Sequence, residues 1–240
     1  MLPSLPSLLR PIIHPTSASL STISNIVIFL PGLGDTSANF SSFPLALNLP
    51  STLTITLQAP IPIPLPETGT HWADDLLLDP QSGTIDPDGP SFNASTQLLA
   101  EDVIKSTLIT KHGFKPREIL LLGSGQGASI SLAVALHLNL ELGGVIAIGG
   151  LLPISASSSD LAKNRTPILL LGGLKGVLTR ESGNGVVRAK NAFEVVETHQ
   201  WKKSDDSMPK TREEAMPMMG FFARRLRSRQ GVPEGAVEVR

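Results

Sequence analysis

The sequence of 240 residues contains no cysteine. This absence excludes disulfides, thiolate metal sites and a cysteine nucleophile. The sequence also lacks a charge imbalance, since 20 Lys and Arg stand against 21 Asp and Glu and leave a net charge of -1. Such a balance gives no general reason to expect binding to nucleic acid or to anionic lipid, so we expect no nucleic-acid partner.

Long apolar runs are also missing. No segment approaches the roughly 18 apolar residues that cross a bilayer, so stable membrane insertion is not expected. The start, MLPSLPSLLRPIIHP, is interrupted by four prolines and has no continuous apolar stretch of the kind found in secretion signals. It is rich in Ser, contains Arg10 and lacks acidic residues, which leaves organelle targeting open. The default prediction is a cytoplasmic protein.

What the sequence does contain is a series of short apolar runs that alternate with helical patterns, with 41% hydrophobic residues to form a core. Strands are predicted at Asn25–Leu30, Leu53–Gln58, Glu118–Leu122, Gly144–Ile148, Pro167–Leu171 and Phe193–Glu197, and helices at Asn93–Lys111, Ala128–Leu140 and Met216–Arg229. This alternation predicts an α/β fold with a doubly wound, mostly parallel sheet and helices on both faces. We expect an N-terminal extension over 1–20, one domain over 21–230 and a flexible tail over 231–240.

The segment from Leu122 to Ser129, LGSGQGAS, leaves a predicted strand and opens a predicted helix. This is the setting of the nucleophile elbow, G-x-S-x-G, whose glycines permit a sharp turn. Gly123 and Gly127 take the glycine positions, which leaves Gly125 where the nucleophile belongs. A glycine accepts the strained backbone but supplies no oxygen for attack.

Two other interpretations of this segment stay open. Ser124 is a candidate displaced nucleophile, although neighbouring residues on such a turn point in different directions. Gly123, Gly125 and Ala128 also match the dinucleotide fingerprint G-x-G-x-x-A, which would make the chain a nucleotide-binding module. No acidic residue ends the following strand to hold a ribose, and this weakens the match.

A second glycine-rich turn, Pro31–Asp35, follows the first predicted strand. Such a turn can direct backbone N–H groups at an oxyanion, or it can simply end the strand. The long segment from residue 59 to residue 92 is dense in proline, glycine and aspartate and is predicted to be a loop beside the same cleft.

Together these segments resemble the phospholipase/carboxylesterase family that contains the acyl-protein thioesterases. The matching pieces are IVIFLPGLGDTSANF (26–40), QAPIPIP (58–64), His71–Asp74, LLGSGQGASISLAVAL (121–136), GGLLPI (149–154) and TPILLLGG (166–173). The resemblance implies an α/β-hydrolase fold and, in active members, hydrolysis of acyl esters or thioesters by a Ser-Asp-His triad. No cofactor is expected, and no metal either, because no cluster of histidines and carboxylates has metal-ligand spacing.

Carried over by position, the family's triad is missing from this chain. The nucleophile position holds Gly125 and the acid position holds Gly176, while the histidine position falls near Ser207–Pro209, where no histidine stands. The resemblance places the oxyanion donors at the backbone N–H groups of Leu33 and Gln126 and puts Trp72 beside the binding cleft. Because a triad acts as a unit, these absences predict impaired catalysis.

Three hypotheses for function follow. The first is a hydrolase relative without covalent chemistry, a pseudoenzyme that binds an acyl or other small-molecule ligand or has a regulatory role with an unidentified protein partner. The second is an active esterase that uses Ser124 with His199 and with Asp160 or Glu181 as the acid. The third is the nucleotide-binding module. His14 and His112 are expected to be surface or loop residues, and His137 is expected to be a partly buried helix residue. The basic C-terminal helix is expected to present a solvated face, with contact to an anionic membrane surface as the alternative.

Overall fold

The computed structural model describes residues 3–14, 23–63, 69–75, 91–156, 162–179 and 184–228. Its strands are β1 (Ile12–His14), β2 (Asn25–Leu30), β3 (Thr52–Thr56), β4 (Ile61–Pro62), β5 (Thr70–His71), β6 (Ile119–Ser124), β7 (Gly144–Ile148), β8 (Ile168–Gly172) and β9 (Val196–Gln200). Its helices are α1 (Ser37–Phe40), α2 (Ser42–Leu47), α3 (Asn93–Gln97, continued as a π-helix over Leu98–Lys111), α4 (Gln126–Leu138), α5 (Gly185–Ala192) and α6 (Arg212–Arg225).

The main sheet has seven strands in the order β1-β3-β2-β6-β7-β8-β9. Every pairing is parallel except that of β1 with β3. Strands β4 and β5 form a separate two-stranded hairpin. The predicted α/β-hydrolase fold, with a mostly parallel sheet, is confirmed.

Two hydrophobic cores lie on opposite faces of this sheet because successive strand residues point to opposite sides. Along β2, Ile26 and Ile28 belong to one core, whereas Val27 and Phe29 belong to the other. The first core includes apolar residues of the π-helix and of α4, and the second includes Phe221 of α6. Burial on both faces explains why the strands are continuous apolar runs.

The N-terminal segment departs from the expectation of an extension over residues 1–20. Leu9 is fully buried in the core, and Ile12–His14 pairs with β3 as the antiparallel edge of the sheet. A three-residue strand carries too little pattern to be recognised in the sequence, and it forms because β3 offers an open edge. The folded unit therefore begins before residue 21, while the predicted tail at 231–240 lies outside the described residues.

The final helix also differs from its prediction. It begins at Arg212, with the Thr211 hydroxyl accepting a hydrogen bond from the backbone N–H of Glu214 at 3.3 Å. Pro217 consequently lies inside the helix rather than in its first turn. None of the helices in the described residues is long and apolar enough to cross a membrane.

Candidate functional site: an elbow without a nucleophile

The turn between β6 and α4 has the strained backbone of a nucleophile elbow. Gly125 has φ 53° and ψ −120°, a conformation that costs a non-glycine residue of the order of 1–3 kcal/mol. Its N–H donates to the carbonyl of Ile148 at 2.8 Å, so the end of β7 holds the turn in place. The main-chain shape predicted from the glycine spacing is present.

The two flanking glycines are required by close backbone contacts. A Cβ on Gly123 would lie 2.0 Å from the Gly127 carbonyl oxygen, and a Cβ on Gly127 would lie 1.9 Å from the Leu30 carbonyl oxygen. Atoms cannot approach so closely, so any larger residue would push the helix away from the strand. The first turn of α4 therefore packs directly against the ends of β2 and β6.

Position 125 itself has open space. Among the described residues, a Cβ there would meet only the Cα of Gly32, at an ordinary 3.8 Å. The glycine at this position is therefore not demanded by crowding, unlike its two neighbours. A side chain would fit, and this chain places none there.

The amides of Leu33 and Gln126 are where the family resemblance puts the oxyanion donors. Within the described residues neither N–H donates to a protein acceptor. The neighbouring Gly34 N–H is taken up by the Thr70 carbonyl at 2.9 Å, which fixes the turn around Leu33. Two donors thus remain available beside the vacant position, one of them at a helix N-terminus, where negative charge is stabilised.

Trp72 is fully buried and joins the parts of the elbow. Its indole Nε1 donates to the Pro31 carbonyl at 2.8 Å, and its backbone N–H donates to the Gln126 side-chain oxygen at 3.1 Å. Trp72 therefore holds the glycine-rich turn and the start of α4 together through these two hydrogen bonds. Its role in this structure is to position the glycine-rich turn and the start of α4, which carry the two donor amides.

Asp74, two residues further on, caps a helix. Its carboxylate accepts the backbone N–H groups of Asn93 at 2.8 Å and of Ala94 at 3.0 Å, and it also contacts the Ser91 hydroxyl. These donors belong to the first turn of α3, whose amides have no partner within the helix. This carboxylate is fully engaged and is not a candidate catalytic acid.

The position to which the resemblance assigns the acid, Gly176, is occupied by a carboxylate from another part of the chain. Gly176 offers no side chain, but the carboxylate of Asp206, in the loop after β9, lies in its place. It accepts the N–H groups of Gly173 at 2.8 Å and of Val177 at 2.9 Å. A Cβ on Gly176 would stand 1.7 Å from Asp206 Oδ1, so the two positions exclude one another.

Asp206 is a site residue that sequence reasoning missed. The available signal was a glycine at position 176 together with two adjacent acids, Asp205 and Asp206, in the stretch where a histidine was expected. Nothing in that pattern shows that a carboxylate from one loop can replace a side chain on another.

The loop expected to carry the histidine is held by a lysine-centred cluster. The Lys203 ammonium lies 4.1 Å from the centre of the Trp201 ring and 3.5 Å from a Glu214 carboxylate oxygen, and it donates to the Met208 carbonyl at 3.1 Å. It also contacts the Ser207 carbonyl. These contacts give the loop a fixed shape with no imidazole in it.

Two carboxylates of this cluster have lowered pKa values. Hydrogen bonds from the hydroxyl and backbone N–H of Ser207 hold the pKa of Asp205 below its usual range. The backbone N–H of Lys210 does the same for the pKa of Glu214, with help from Lys203. Both carboxylates are therefore ionised at neutral pH, and they stabilise the loop as anions.

The structure does not bring Ser124 and His199 together. The parallel register aligns Ser124 with Ile148, Ile148 with Leu171, and Leu171 with His199. Three strand spacings separate the two residues, roughly 14 Å. His199 is exposed on the edge strand, and Ser124 makes no side-chain hydrogen bond within the described part of the chain. Asp160 and Glu181, the acids predicted for that set, lie outside the described residues.

His71, at the end of β5, is another buried group near the elbow. Its Nδ1 is buried and has no hydrogen-bond partner among the described residues. Burial lowers the pKa of His71, against a smaller opposite effect of the Ala73 backbone, so the side chain is neutral at physiological pH. No three His, Asp or Glu residues of the described segments are grouped so as to hold a metal ion.

A family model described as "Phospholipase/Carboxylesterase" matches residues 16–225. The chain belongs to this family. The match runs from before β2 to the last residue of α6, so it covers the elbow, the glycine-rich turn and the loop of Asp206.

Among curated proteins the chain is similar to acyl-protein thioesterases of yeasts. It is 28% identical over 145 residues to acyl-protein thioesterase 1 of Saccharomyces cerevisiae, covering 56% of this chain and 61% of that protein. It is 30% identical over 165 residues to acyl-protein thioesterase 1 of Debaryomyces hansenii, covering 63% and 69% respectively. The match therefore spans less than two thirds of the Saccharomyces protein.

Solved structures of esterases have the same fold. Esterase PE8 matches with a TM-score of 0.68 at 19% identity, covering 90% of this chain and 98% of that one. Acyl-protein thioesterase 2 of Zea mays matches with a TM-score of 0.64, also at 19% identity and with the same two coverages. At this level of identity the comparison establishes the fold.

Proposed function

We propose that this member of the phospholipase/carboxylesterase family binds the carbonyl end of an acyl ester or thioester at its elbow without forming a covalent acyl-enzyme. The observation that carries the proposal is Gly125, which keeps the elbow backbone at φ 53° and ψ −120° while supplying no nucleophile. The yeast relatives named as acyl-protein thioesterases support an acyl group as the ligand class.

The groups that would bind the carbonyl oxygen of a ligand are backbone N–H groups. The N–H groups of Leu33 and Gln126 have no protein acceptor in the described residues, so they can donate to a carbonyl oxygen of a ligand. Such donors stabilise a polarised carbonyl whether or not a covalent bond forms. The space in front of Gly125, where a Cβ would find only the Gly32 Cα within 4 Å among the described residues, can admit the carbonyl carbon.

Covalent catalysis in the family depends on the side chains of the triad, and we infer that these side chains do not come together in this chain. Gly125 replaces the nucleophile, and the loop around Lys203 and Asp206 contains no imidazole. Without a base to accept its proton, even a serine hydroxyl is a weak nucleophile at neutral pH. We therefore expect an acyl ester to bind and leave unchanged.

Labelling with a fluorophosphonate probe and turnover of p-nitrophenyl acyl esters test the chemical half of the proposal. The wild type, Ser124→Ala and Gly125→Ser are all expected to remain unlabelled and inactive. If the wild type turns over esters and Ser124→Ala abolishes that activity, a displaced serine does the chemistry and the proposal is overturned.

Binding is tested with a decanoyl thioester carrying ¹³C at its carbonyl. We expect its carbonyl resonance to shift on binding, together with the amide resonances of Leu33 and Gln126. Gly125→Leu should abolish both shifts because its side chain fills the ligand's space. Gly113→Leu is the matched control, since Gly113 also has positive φ, at 75°, and no atom of the described segments lies within 4 Å of its Cβ position. Shifts that persist in Gly125→Leu would place the ligand elsewhere.

A further inference from the structure

A groove of about 390 Å³ lies beside the glycine-rich turn, between the N-terminal segment and the β4–β5 hairpin. It is lined by Ser7, Leu8, Arg10, Gln58, Ala59, Pro60, Pro62 and Thr70. None of these residues belongs to the elbow. The volume falls within the range of small-molecule sites, roughly 300–1,000 Å³.

Gln58 presents unsatisfied donors to this groove. Its side-chain oxygen accepts the backbone N–H of Ser37 at 3.3 Å, which fixes the orientation of the amide. The Nε2 group therefore carries the two donors, and it has no acceptor within the described residues. The residue as a whole is only 6% exposed, but its Nε2 is not among the buried polar atoms that lack a partner, so a ligand oxygen in the groove can reach it.

Arg10 supplies a positive charge on the same groove. Its carbonyl accepts the Ser37 hydroxyl at 2.9 Å, so its backbone is anchored, while its guanidinium forms no ion pair within the described residues. Among the described residues, the groove lining contains no acidic side chain to neutralise it. A planar guanidinium binds a carboxylate through two parallel hydrogen bonds.

The backbone of Arg10 is strained. Its φ is 38°, and the four other non-glycine residues with positive φ in the described segments are Asn48, Ser51, Asn139 and Asn184. Short polar side chains such as that of asparagine tolerate this region more readily than a long side chain does. Strain of this kind is often found at ligand-binding positions.

The rest of the groove is apolar. Ala59, Pro60 and Pro62 line it, and Leu8 is 58% exposed at its side. One cation and one amide at the polar part, followed by aliphatic surface, match a ligand with a single anionic head and a hydrocarbon tail.

We propose that this groove is a binding site for an aliphatic monocarboxylate, with the carboxylate on Arg10 and the Gln58 amide and the hydrocarbon chain on Leu8 and the prolines. The site is separate from the elbow and does not depend on the function proposed for it. It gives the protein a place to hold a free fatty-acid-like anion while the elbow is empty or occupied.

Titration with sodium octanoate, followed by protein NMR, tests the proposal. We expect shifts of the Gln58 side-chain amide and of the Thr70 backbone amide, and an affinity that falls at least tenfold in Arg10→Gln. Arg212→Gln is the matched control, an exposed arginine at the start of α6, and it should bind as the wild type does. Octanol, which has the same tail and no charge, should bind at least tenfold more weakly than octanoate.

Arg10→Gly separates binding from folding. Glycine relieves the positive-φ strain, so this variant should be at least as stable as the wild type and yet lose octanoate binding. Equal affinity of wild type and Arg10→Gly, or equal binding of octanol and octanoate, would overturn the proposal. So would octanoate shifts confined to Leu33 and Gln126, because these would assign the ligand to the elbow. Retained octanoate binding in Gly125→Leu supports a site independent of the elbow.

Discussion

The two sides of the cleft have been assembled in different ways. On the nucleophile side, the turn at Gly125 keeps its strained backbone, and the donors at Leu33 and Gln126 remain available. On the acid and histidine side, the Asp206 carboxylate occupies the position of a side chain at Gly176, and Lys203 holds the loop in which a histidine would stand. One side preserves the geometry of the site and the other replaces it.

The difference follows from what each side contributes to the fold. The elbow is a close junction of three elements, since Gly127 packs on the Leu30 carbonyl and Gly123 on the Gly127 carbonyl. Such a junction tolerates no change in backbone shape without loss of stability. The acid and histidine positions depend on side chains in loops, where one hydrogen-bonded arrangement can replace another.

The largest expected effect is a loss of stability when the backbone packing on the nucleophile side is disrupted. Gly127→Ala places a Cβ 1.9 Å from a backbone oxygen, and we expect it to lower the free energy of unfolding by more than about 4 kcal/mol or to prevent folding. Gly113→Ala, at φ 75° in open space, should cost only about 1 kcal/mol. Urea denaturation of both variants makes the measurement, and similar losses would mean that the junction is not tightly packed.

The next largest effect tests whether the Asp206 carboxylate occupies the space of a side chain at position 176. Gly176→Asp restores an acid at the family's position, but its Cβ would stand 1.7 Å from Asp206 Oδ1. We expect a loss of about 2–4 kcal/mol from overlap and like-charge repulsion.

A double-mutant cycle identifies the partner of position 176. Asp206→Ala alone should cost about 1–3 kcal/mol because two backbone N–H groups lose their acceptor. In the double variant Gly176→Asp/Asp206→Ala the new carboxylate has room, so the loss should be smaller than the sum of the two single losses. Gly176→Asp/Asp205→Ala should show no such recovery. Additive losses with Asp206 would mean that the two positions do not compete.

A smaller effect concerns the vacant position itself. The serine side chain of Gly125→Ser has room, and its only cost is the positive φ of the backbone. We therefore expect the free energy of unfolding to fall by about 1–2 kcal/mol. It should gain no esterase activity, because no histidine stands where the family resemblance places the base. Thermal and urea denaturation give the stability, and the p-nitrophenyl ester assay gives the activity. A stability loss as large as that of Gly127→Ala would show that position 125 is crowded.

The smallest effect is a pH dependence near the elbow. Because burial lowers the pKa of His71 in the folded protein, the unfolded chain takes up a proton first as the pH falls through about 6.5. Stability should therefore decrease as the pH falls from about 7.5 and level off below the folded-state pKa. Urea denaturation across this range should show a shallower dependence in His71→Phe, whereas His199→Gln, an exposed control, should keep the wild-type dependence.

Much of the fold was predictable from local patterns. The strand Asn25–Leu30, the strand Gly144–Ile148 and the helical stretch from Asn93 to Lys111 have the predicted bounds, because each is a long or continuously apolar segment. The β1 strand and the early start of α6 were not predicted, since the first depends on pairing with a distant edge and the second on a capping threonine.

In the candidate site, too, the local features could be predicted from the sequence and the contacts between distant segments could not. The position of the elbow and its missing oxygen follow from Gly123, Gly125 and Gly127, because the spacing of the glycines encodes a backbone shape. The separation of Ser124 from His199 and the substitution of Asp206 for a side chain at Gly176 are contacts between distant segments. Local sequence thus determined that the acid position inferred from the resemblance, Gly176, carries no side chain. Only the tertiary structure decided what stands in its place, because a carboxylate finds its hydrogen-bond donors through space and not along the chain.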